Sequence, residues 1–470
     1  MTTNAGLQPV IVGAGPAGVR AAEALVAHGL RPLVIDEASR AGGQIYRRPP
    51  ANFIQRTAAT LYGFEASRAN AVHLAFDALR DHIDYLPDSL VWNAQGGVLD
   101  VLHNPTRTTT RVPHGALIVA TGATDRVLPV PGWTLPGVYT LGGAQVALKF
   151  QGCAIGQRVV FMGTGPLLYL VAYQYAKAGA KVAAVLDTAR LADQIAATPA
   201  MLRQPAVFAK GVYFVAWLRA HGVPLHSGVR PLRVIGDDEA RRVTGVAWHD
   251  GREERTLACD AVGFGYALRS ETQLADLLGC RFEFAPMHRA HLPVRDAAGR
   301  ASVEGVYLAG DGAGIMGADA AEWAGERAAL ALLADRGVAV DAARAAALER
   351  KLEGLTGFRR GLERAFPLPQ DWAANAPDDL VVCRCENVTA GTLRQTIAAN
   401  GADEMNRLKA LSRVGMGRCQ GRMCGVAAAE ILAHATGQPL QQVGRLRGQA
   451  PIKPIPIQLA VHAASEGAGA

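Results

Sequence analysis

Two groups of residues in this 470-residue chain have the types and spacing to do chemistry. The first is the stretch VIVGAGPAG at residues 10–18, where Gly13, Gly15 and Gly18 hold the G-x-G-x-x-G spacing directly after a short apolar run. In such a loop Gly13 makes the tight turn, Gly15 lets backbone approach a pyrophosphate, and Gly18 lets the following helix pack on the strand. The spacing predicts a helix that starts near Pro16 and Ala17, where a missing proline N–H costs little. Its unpaired N–H groups and positive end then face phosphate. A second apolar run at 32–35 ends in Asp36 and Glu37, the position from which an acid hydrogen-bonds an adenosine ribose. Strand, loop, helix, strand and acid occur in the required order, and that order, more than the glycines alone, predicts nucleotide binding.

The second group is four cysteines near the carboxyl terminus: Cys383 and Cys385 one residue apart, Cys419 and Cys424 four apart, with a helical stretch between the pairs. Four thiolates suit Zn(II) or an iron–sulfur cluster, and a chain without metal there is the third reading. The C-x-C and C-x4-C loops differ from the C-x2-C pairs of zinc ribbons and favour [2Fe-2S]. Arg384, Arg413, Arg418 and Arg422 lie close in sequence to offset the negative charge of such a centre. Cys153, Cys259 and Cys280 stand alone and are expected to be buried apolar thiols.

These sites need elements to hold them, and the composition allows several domains. Half of the residues are hydrophobic, enough for a full core in each. The net charge of +7 is carried by dispersed Lys and Arg, which argues against nucleic acid. The apolar stretch after the start is broken by Gly, Pro, Arg20, Glu23 and His28, which argues against a signal peptide or a membrane span. A cytoplasmic chain is expected, or one peripheral to the inner membrane through partners.

Along the chain, Gly43 and Gln44 open a basic, proline-ended stretch expected to cross the nucleotide site. Residues 51–90 read as helix and then short strand, and 91–113 as small antiparallel strands. A buried strand runs into the turn at Thr121 and Gly122. Residues 158–187 repeat the opening pattern: Gly163 and Gly165 hold the first two glycine positions, Leu168 the third, and Asp187 ends the second strand. Leucine demands a wider helix–strand separation, so NAD(P) or another adenine nucleotide there stands open against an empty fold, and Arg190 leaves a 2′-phosphate open. Tyr213, Phe214 and Trp217 read as core, and two strands are expected over 243–262. Near residue 310 the pattern returns to the first unit: a strand ends on Gly310 and Asp311 before a helix over 320–334. That carboxylate can accept from a ribityl hydroxyl, which favours FAD, or serve only as a cap.

The fold class is therefore α/β: two nested Rossmann-like dinucleotide-binding domains and a small C-terminal α-rich four-cysteine module. The expected boundaries are 1–125 with 285–335 for FAD, 126–284 for the inserted NAD(P)-like domain, 336–375 for a helical linker, 376–440 for the cysteine module and 441–470 for a proline-rich tail.

On VIVGAGPAG, IDEASRAGGQIYRR, ATGATDRVLPVPGWTLPGV, GTGPLL, VYLAGDGAGI and the CRCE to GRCQGRMCG module, nearly the whole chain resembles one family. This is the larger FAD-binding (A/alpha-type) subunit of heteromeric flavin-dependent amine dehydrogenases, whose members serve opine oxidase, hydrogen cyanide synthase, sarcosine oxidase and dye-linked proline dehydrogenase. The cysteine module resembles bacterioferritin-associated ferredoxin. The resemblance implies FAD, a [2Fe-2S] cluster, a smaller FAD-dependent amine-oxidising partner subunit, and room for a further small subunit. It implies an oxidoreductase acting on C–N bonds of an opine, glycine or another amino acid, this chain relaying electrons to an external acceptor. No C-x-x-C pair occurs, so a substrate is not reduced through a dithiol, and no residue stands out as a general base. A stand-alone NAD(P)H-dependent reductase and a non-catalytic nucleotide-binding scaffold are the alternatives.

Overall fold

A parallel sheet covered by helices on both faces asks for short strands that are apolar throughout. Val10–Val12 and Leu33–Ile35 are such strands, buried at every position. In the computed structural model, which describes residues 8–50, 52, 56–237, 239 and 241–457, they join a five-stranded parallel sheet. Its order is Val306–Leu308, Leu117–Val119, Val10–Val12, Leu33–Ile35, Asp84–Leu86. Val10 pairs with Leu33 on one side and Leu117 on the other, so the first strand is central. Its glycine end opens at the carboxyl edge of the sheet, where ligands of such folds sit. Residues 1–7 of the first expected domain and 458–470 of the expected tail lie outside the described residues.

A second parallel sheet repeats the design in the order Leu225–Ser227, Lys181–Asp187, Arg158–Thr164, Ala261–Tyr266, Val138–Thr140. Each unit adds a three-stranded antiparallel meander, Ser89–Gln95 to Thr108–Pro113 in the first and Arg230–Asp237 to Glu254–Ala258 in the second. Where two strands are expected over 243–262, three occur. Asp250 Oδ1 accepts from the N–H groups of Arg252 and Glu253, and the resulting turn folds Arg242–His249 and Glu254–Ala258 into a hairpin before Ala261–Tyr266 begins. The two passages between the units, Ala123–Asp125 and Leu268–Ser270, pair antiparallel.

The helix Ala342–Ala365, in the segment read as a linker, packs along Leu191–Met201 of the second unit and Ala318–Asp335 of the first. It therefore braces both. The cysteine module is a hairpin, Val381–Cys383 with Val388–Thr389, followed by the helices Ala390–Asn400, Met405–Ser412 and Gly425–Thr436. A single hydrophobic core runs from Trp133, Val262 and Phe264 of the second unit into Val382, Leu393 and Ile431 of the module. The Trp133 indole donates to the Val381 carbonyl at 2.6 Å and the Trp372 indole to Pro129 at 2.8 Å. The chain then returns to the first unit, where Ile452 enters its core. Among the described residues no helix is long and apolar enough to cross a membrane.

Tyr213, read as core, is 41% exposed. Phe214 and Trp217 are partly buried against Tyr173, because Pro205–Ala220 lies on the outside of the second sheet and buries only Leu218 fully. Cys153, expected buried, is exposed, whereas Cys259 and Cys280 are buried and their thiols pushed up to about 12 and about 11 by desolvation.

Helices Pro16–Ala27 and Ala318–Asp335 approach closely, and a Cβ on Gly325 would overlap the Ala17 carbonyl oxygen. Gly325→Ala must push the helices apart and is expected to cost about 1–3 kcal/mol. Thermal unfolding followed by circular dichroism should give a lower midpoint, and an unchanged midpoint would mean this contact does not set the helix spacing.

Candidate functional site

The three glycines of the first loop are glycine for three different reasons. Gly13 has φ +108°, and a Cβ there would overlap the Ala120 carbonyl on the neighbouring strand. A Cβ on Gly18 would overlap the carbonyl oxygen of Gly13, so this residue lets the helix close onto the loop. Gly15 has φ −76°, which any residue adopts, and a Cβ would meet only the Gly43 Cα at 3.6 Å. Nothing in the described chain forbids a side chain at Gly15. What its absence provides is an open floor beneath the amino terminus of Pro16–Ala27, a helix end that no side chain caps among the described residues. Free backbone donors and a positive helix end facing open space suit a pyrophosphate.

That space is a cavity of about 1790 Å³. Gly13, Gly15, Pro16 and Ala17 form its floor; Asp36, Glu37, Gly43 and Gln44 form one side. Thr121, Gly122, Gly310 and Asp311 form the next. Gly18 is packed away from it. Asp36 accepts from Ala14 N at 2.5 Å and Ala38 N at 2.7 Å, stitching the glycine loop to the end of the second strand. Burial raises its pKa while the two backbone donors oppose that shift. Glu37 pairs with Lys453, brought from the end of the chain. Asp311 uses Oδ1 to accept from Met316 N at 2.8 Å and Gly317 N at 3.0 Å, so it does cap the approach to Ala318–Asp335. It lines the cavity as well, so the two sequence readings of this residue are compatible.

The second glycine loop differs at its second glycine. Gly163 (φ +128°) repeats Gly13, a Cβ there overlapping the Gly265 carbonyl, whereas Gly165 has φ +107° and a Cβ on it would lie 3.3 Å from the Ala267 Cβ. Leu168, where a third glycine would allow close helix packing, is fully buried. Asp187 is fully buried and accepts from Thr164 Oγ1 and Tyr169 OH at 2.8 Å, Ala189 N at 2.9 Å and Gln194 Nε2 at 3.3 Å. Burial pushes its carboxyl up to about 6. Its hydrogen-bonding capacity is filled by protein, and neither Gly163, Gly165 nor Asp187 lines the cavity. The expectation that Asp187 is an acid held ready for a ribose is corrected on this point: Tyr169 OH takes up an acceptor that a ribose hydroxyl would need.

The four cysteines come together. Cys383 and Cys424 are each 1% exposed, Cys419 is partly exposed, and Cys385, in the turn of the hairpin, is exposed. Cys424 lies within hydrogen-bond reach of both Cys383 and Cys419, and Cys385 of Cys419. The Cys424 hydrogen bond brings the Cys383 thiol down to about 6 and the Cys419 thiol to about 5, and holds Cys424 itself well above its ordinary value. Backbone N–H groups of Gly415, Glu386 and Cys385 point at Cys383, and those of Met423 and Gly421 at Cys419. Positive φ at Gly415, Gln420 and Gly421 turns the loop so that these donors face inward. Among the described residues no group of three or more His, Cys, Asp or Glu is arranged to hold one metal ion. A tetrahedral zinc needs four ligands on one centre, whereas [2Fe-2S] takes two thiolates on each of two irons. Four thiols linked through Cys424 and Cys419, with backbone N–H donors turned to them, fit a cluster held by four thiolates.

Cys419, Arg422 and Met423 line the same cavity as the first glycine loop. Sequence patterns place both sites but not this meeting. They also give no sign of Glu271, which pairs with Arg422 at 2.7 Å, and little of Lys149. Lys149 is 5% exposed, lines the cavity and donates to the Ile45 carbonyl at 3.2 Å, with no carboxylate partner among the described residues; burial pulls it down to about 8. The only sequence signal for Lys149 is a lysine in an otherwise apolar helix.

The pyridine nucleotide-disulphide oxidoreductase family profile matches residues 7–325, and the profile described as a BFD-like [2Fe-2S] binding domain matches 381–434. The A-type subunit of opine oxidase from Agrobacterium tumefaciens (strain Ach5) is 36% identical, over 96% of this chain and 91% of that one. Hydrogen cyanide synthase subunit HcnB of Pseudomonas protegens is also 36% identical, over 96% of this chain and 97% of that one. In fold, the crystal structure of L-proline dehydrogenase from P. horikoshii superposes with a TM-score of 0.72 at 19% identity, covering 96% of this chain and 79% of that one.

Because only ligand space lies above Gly15, Gly15→Val is expected to fold normally and to lose flavin. Flavin released on denaturation should fall roughly tenfold or more, while the unfolding midpoint of flavin-stripped protein stays at the wild-type value. Full flavin retention would remove this loop from the binding site.

Proposed function

The chain belongs to the pyridine nucleotide-disulphide oxidoreductase family, in the group it forms with the A-type subunit of opine oxidase and with HcnB of hydrogen cyanide synthase, and from that premise we propose that it is the FAD- and [2Fe-2S]-carrying subunit of a heteromeric amine or amino-acid dehydrogenase. The substrate class is an opine, glycine or another amino acid, and its C–N bond is oxidised on a smaller flavoprotein subunit. The observation that carries this reading is the common cavity, lined both by Gly15 and Thr121 and by Cys419. A flavin accepts electrons in pairs and releases them singly, and an iron–sulfur cluster takes one at a time.

The residues of this chain serve that chemistry by holding. Gly15 and the uncapped helix end accommodate the pyrophosphate; Glu37, alongside its pair with Lys453, and Asp311 are the acceptors for ribose and ribityl hydroxyls. Cys383, Cys385, Cys419 and Cys424 hold the irons, with backbone N–H groups turned to the sulfurs.

The NAD(P)H-reductase alternative needs the second glycine loop, and Asp187 there is already filled by Thr164, Tyr169, Ala189 and Gln194. Anaerobic stopped-flow mixing with NADH or NADPH is therefore expected to give no rapid flavin bleaching; a fast bleaching phase would establish the alternative. Co-purification with the partner followed by amine addition tests the main reading: the visible spectrum should bleach only when both subunits are present. Cys419→Ser should abolish iron and acid-labile sulfide and leave flavin content unchanged. One zinc and no iron in anaerobically purified wild-type chain would contradict the cluster assignment.

A further inference from the structure

The loop that carries Cys419 and Cys424 is held from outside the cysteine module by the strand on which the chain returns to the first unit. Arg269 of Leu268–Ser270 is partly buried, and its Nη1 donates to the carbonyl oxygens of Gly421 and Arg422 at 3.2 and 3.1 Å. These two carbonyls lie between the two cysteines. Gln273 Nε2 donates to the Gln420 carbonyl at 2.6 Å. Glu271, with its side chain 11% exposed, receives Arg422 Nε at 2.7 Å and Nη2 at 3.2 Å. The backbone of Glu271 is bonded to the nucleotide turn, its N–H to the Gly122 carbonyl at 2.9 Å and its carbonyl from Thr121 Oγ1 at 2.7 Å. Among the described residues Arg269 makes no ion pair, so its charge is not neutralised by direct contact, although Cys419, Cys424 and Glu271 are close enough to act on it.

We propose that Arg269, opposed by Glu271, is a positioning residue that sets the reduction potential of the cluster held by Cys383, Cys385, Cys419 and Cys424. The inference rests on the [2Fe-2S] reading above. A cluster with four thiolates is already negative, and reduction adds one further electron. A guanidinium held a few bonds from the ligating loop, away from bulk water, stabilises the reduced state and raises the potential. Glu271 works in the opposite direction from the same strand end. Arginine suits this place because it stays charged when desolvated and the two N–H groups of its Nη1 can hold two carbonyls at once.

The test is a mediator-buffered redox titration of the anaerobically purified full chain, followed by the EPR signal of the reduced cluster. Arg269→Gln should shift the one-electron equilibrium toward the oxidised form by roughly tenfold, a potential about 59 mV lower. Glu271→Gln, which removes a negative charge and leaves the Arg422 guanidinium beside Cys419 and Cys424 without its carboxylate, should raise the potential. Arg418→Gln, which removes an exposed charge next to Cys419, should shift it less than Arg269→Gln. Arg269→Lys should stay within about twofold of wild type. A purely structural role would not move the potential in opposite directions for the two charge changes. Unmoved potentials, or shifts of the same sign in Arg269→Gln and Glu271→Gln, would overturn the proposal. If Arg269→Gln loads no cluster, Glu271→Gln and Arg269→Lys decide by the same criteria. Wild-type chain without iron and acid-labile sulfide would instead overturn the reading on which the proposal rests.

Discussion

The pair Glu271–Arg422, each side chain 11% exposed, is the contact on which the relation between the two candidate cofactor sites depends. Glu271 is bonded through its backbone to the turn at Thr121 and Gly122, and Arg422 stands between Cys419 and Cys424. Breaking so enclosed a pair by removing one partner costs on the order of 3–5 kcal/mol, because the other charge is left without solvent or counter-ion. Two further pairs reinforce it at the periphery: Arg445 with Asp276 at 2.7 Å, and Lys453 with Glu37. These contacts make the nucleotide loop and the cysteine loop walls of one cavity.

This arrangement gives the second dinucleotide-like unit a purpose that does not require a nucleotide. Gly165 of its glycine loop lies against Ala267, and its acid accepts from Thr164 and Tyr169 of the same unit. Yet its core continues without a break into the cysteine module, from Trp133 and Phe264 to Val382 and Leu393. Burial of that shared apolar surface fixes the module's orientation, and the ion pairs then set which face meets the cavity. The helix Ala342–Ala365 supports the same end by packing on both units. The inserted unit is thus the mount that carries four cysteines to the edge of the first sheet.

Much of this is legible in the sequence because it is local. A strand, a glycine loop and a helix follow each other within ten residues of Gly13, and the Gly18 contact with the Gly13 carbonyl lies within that loop, although Gly13 itself meets Ala120 of another strand end. The four cysteines are legible for the same reason: their spacing is a property of two short loops. What cannot be read is set by tertiary contact. Leu168 signals a departure in the second unit, but only the structure shows Tyr169 OH on Asp187. Tyr213 has the composition of core and lies on an outer helix. Arg269 and Glu271 carry no motif, since what matters is a cysteine loop about 150 residues further along the chain. Asp311 illustrates the middle case, a residue that caps through Oδ1 and also lines the cavity, so that the capping reading does not displace the other.

If one chain holds flavin and cluster as neighbours in a single cavity, electrons pass between them without a second molecule. Anaerobic flash photoreduction of the flavin in the purified full chain, with absorbance followed at flavin and cluster wavelengths, measures that passage. Cluster reduction should track flavin reoxidation at a rate independent of protein concentration, as an exchange within one molecule must be. A rate proportional to concentration, or a flavin that stays reduced beside an oxidised cluster of higher potential, would contradict the shared cavity.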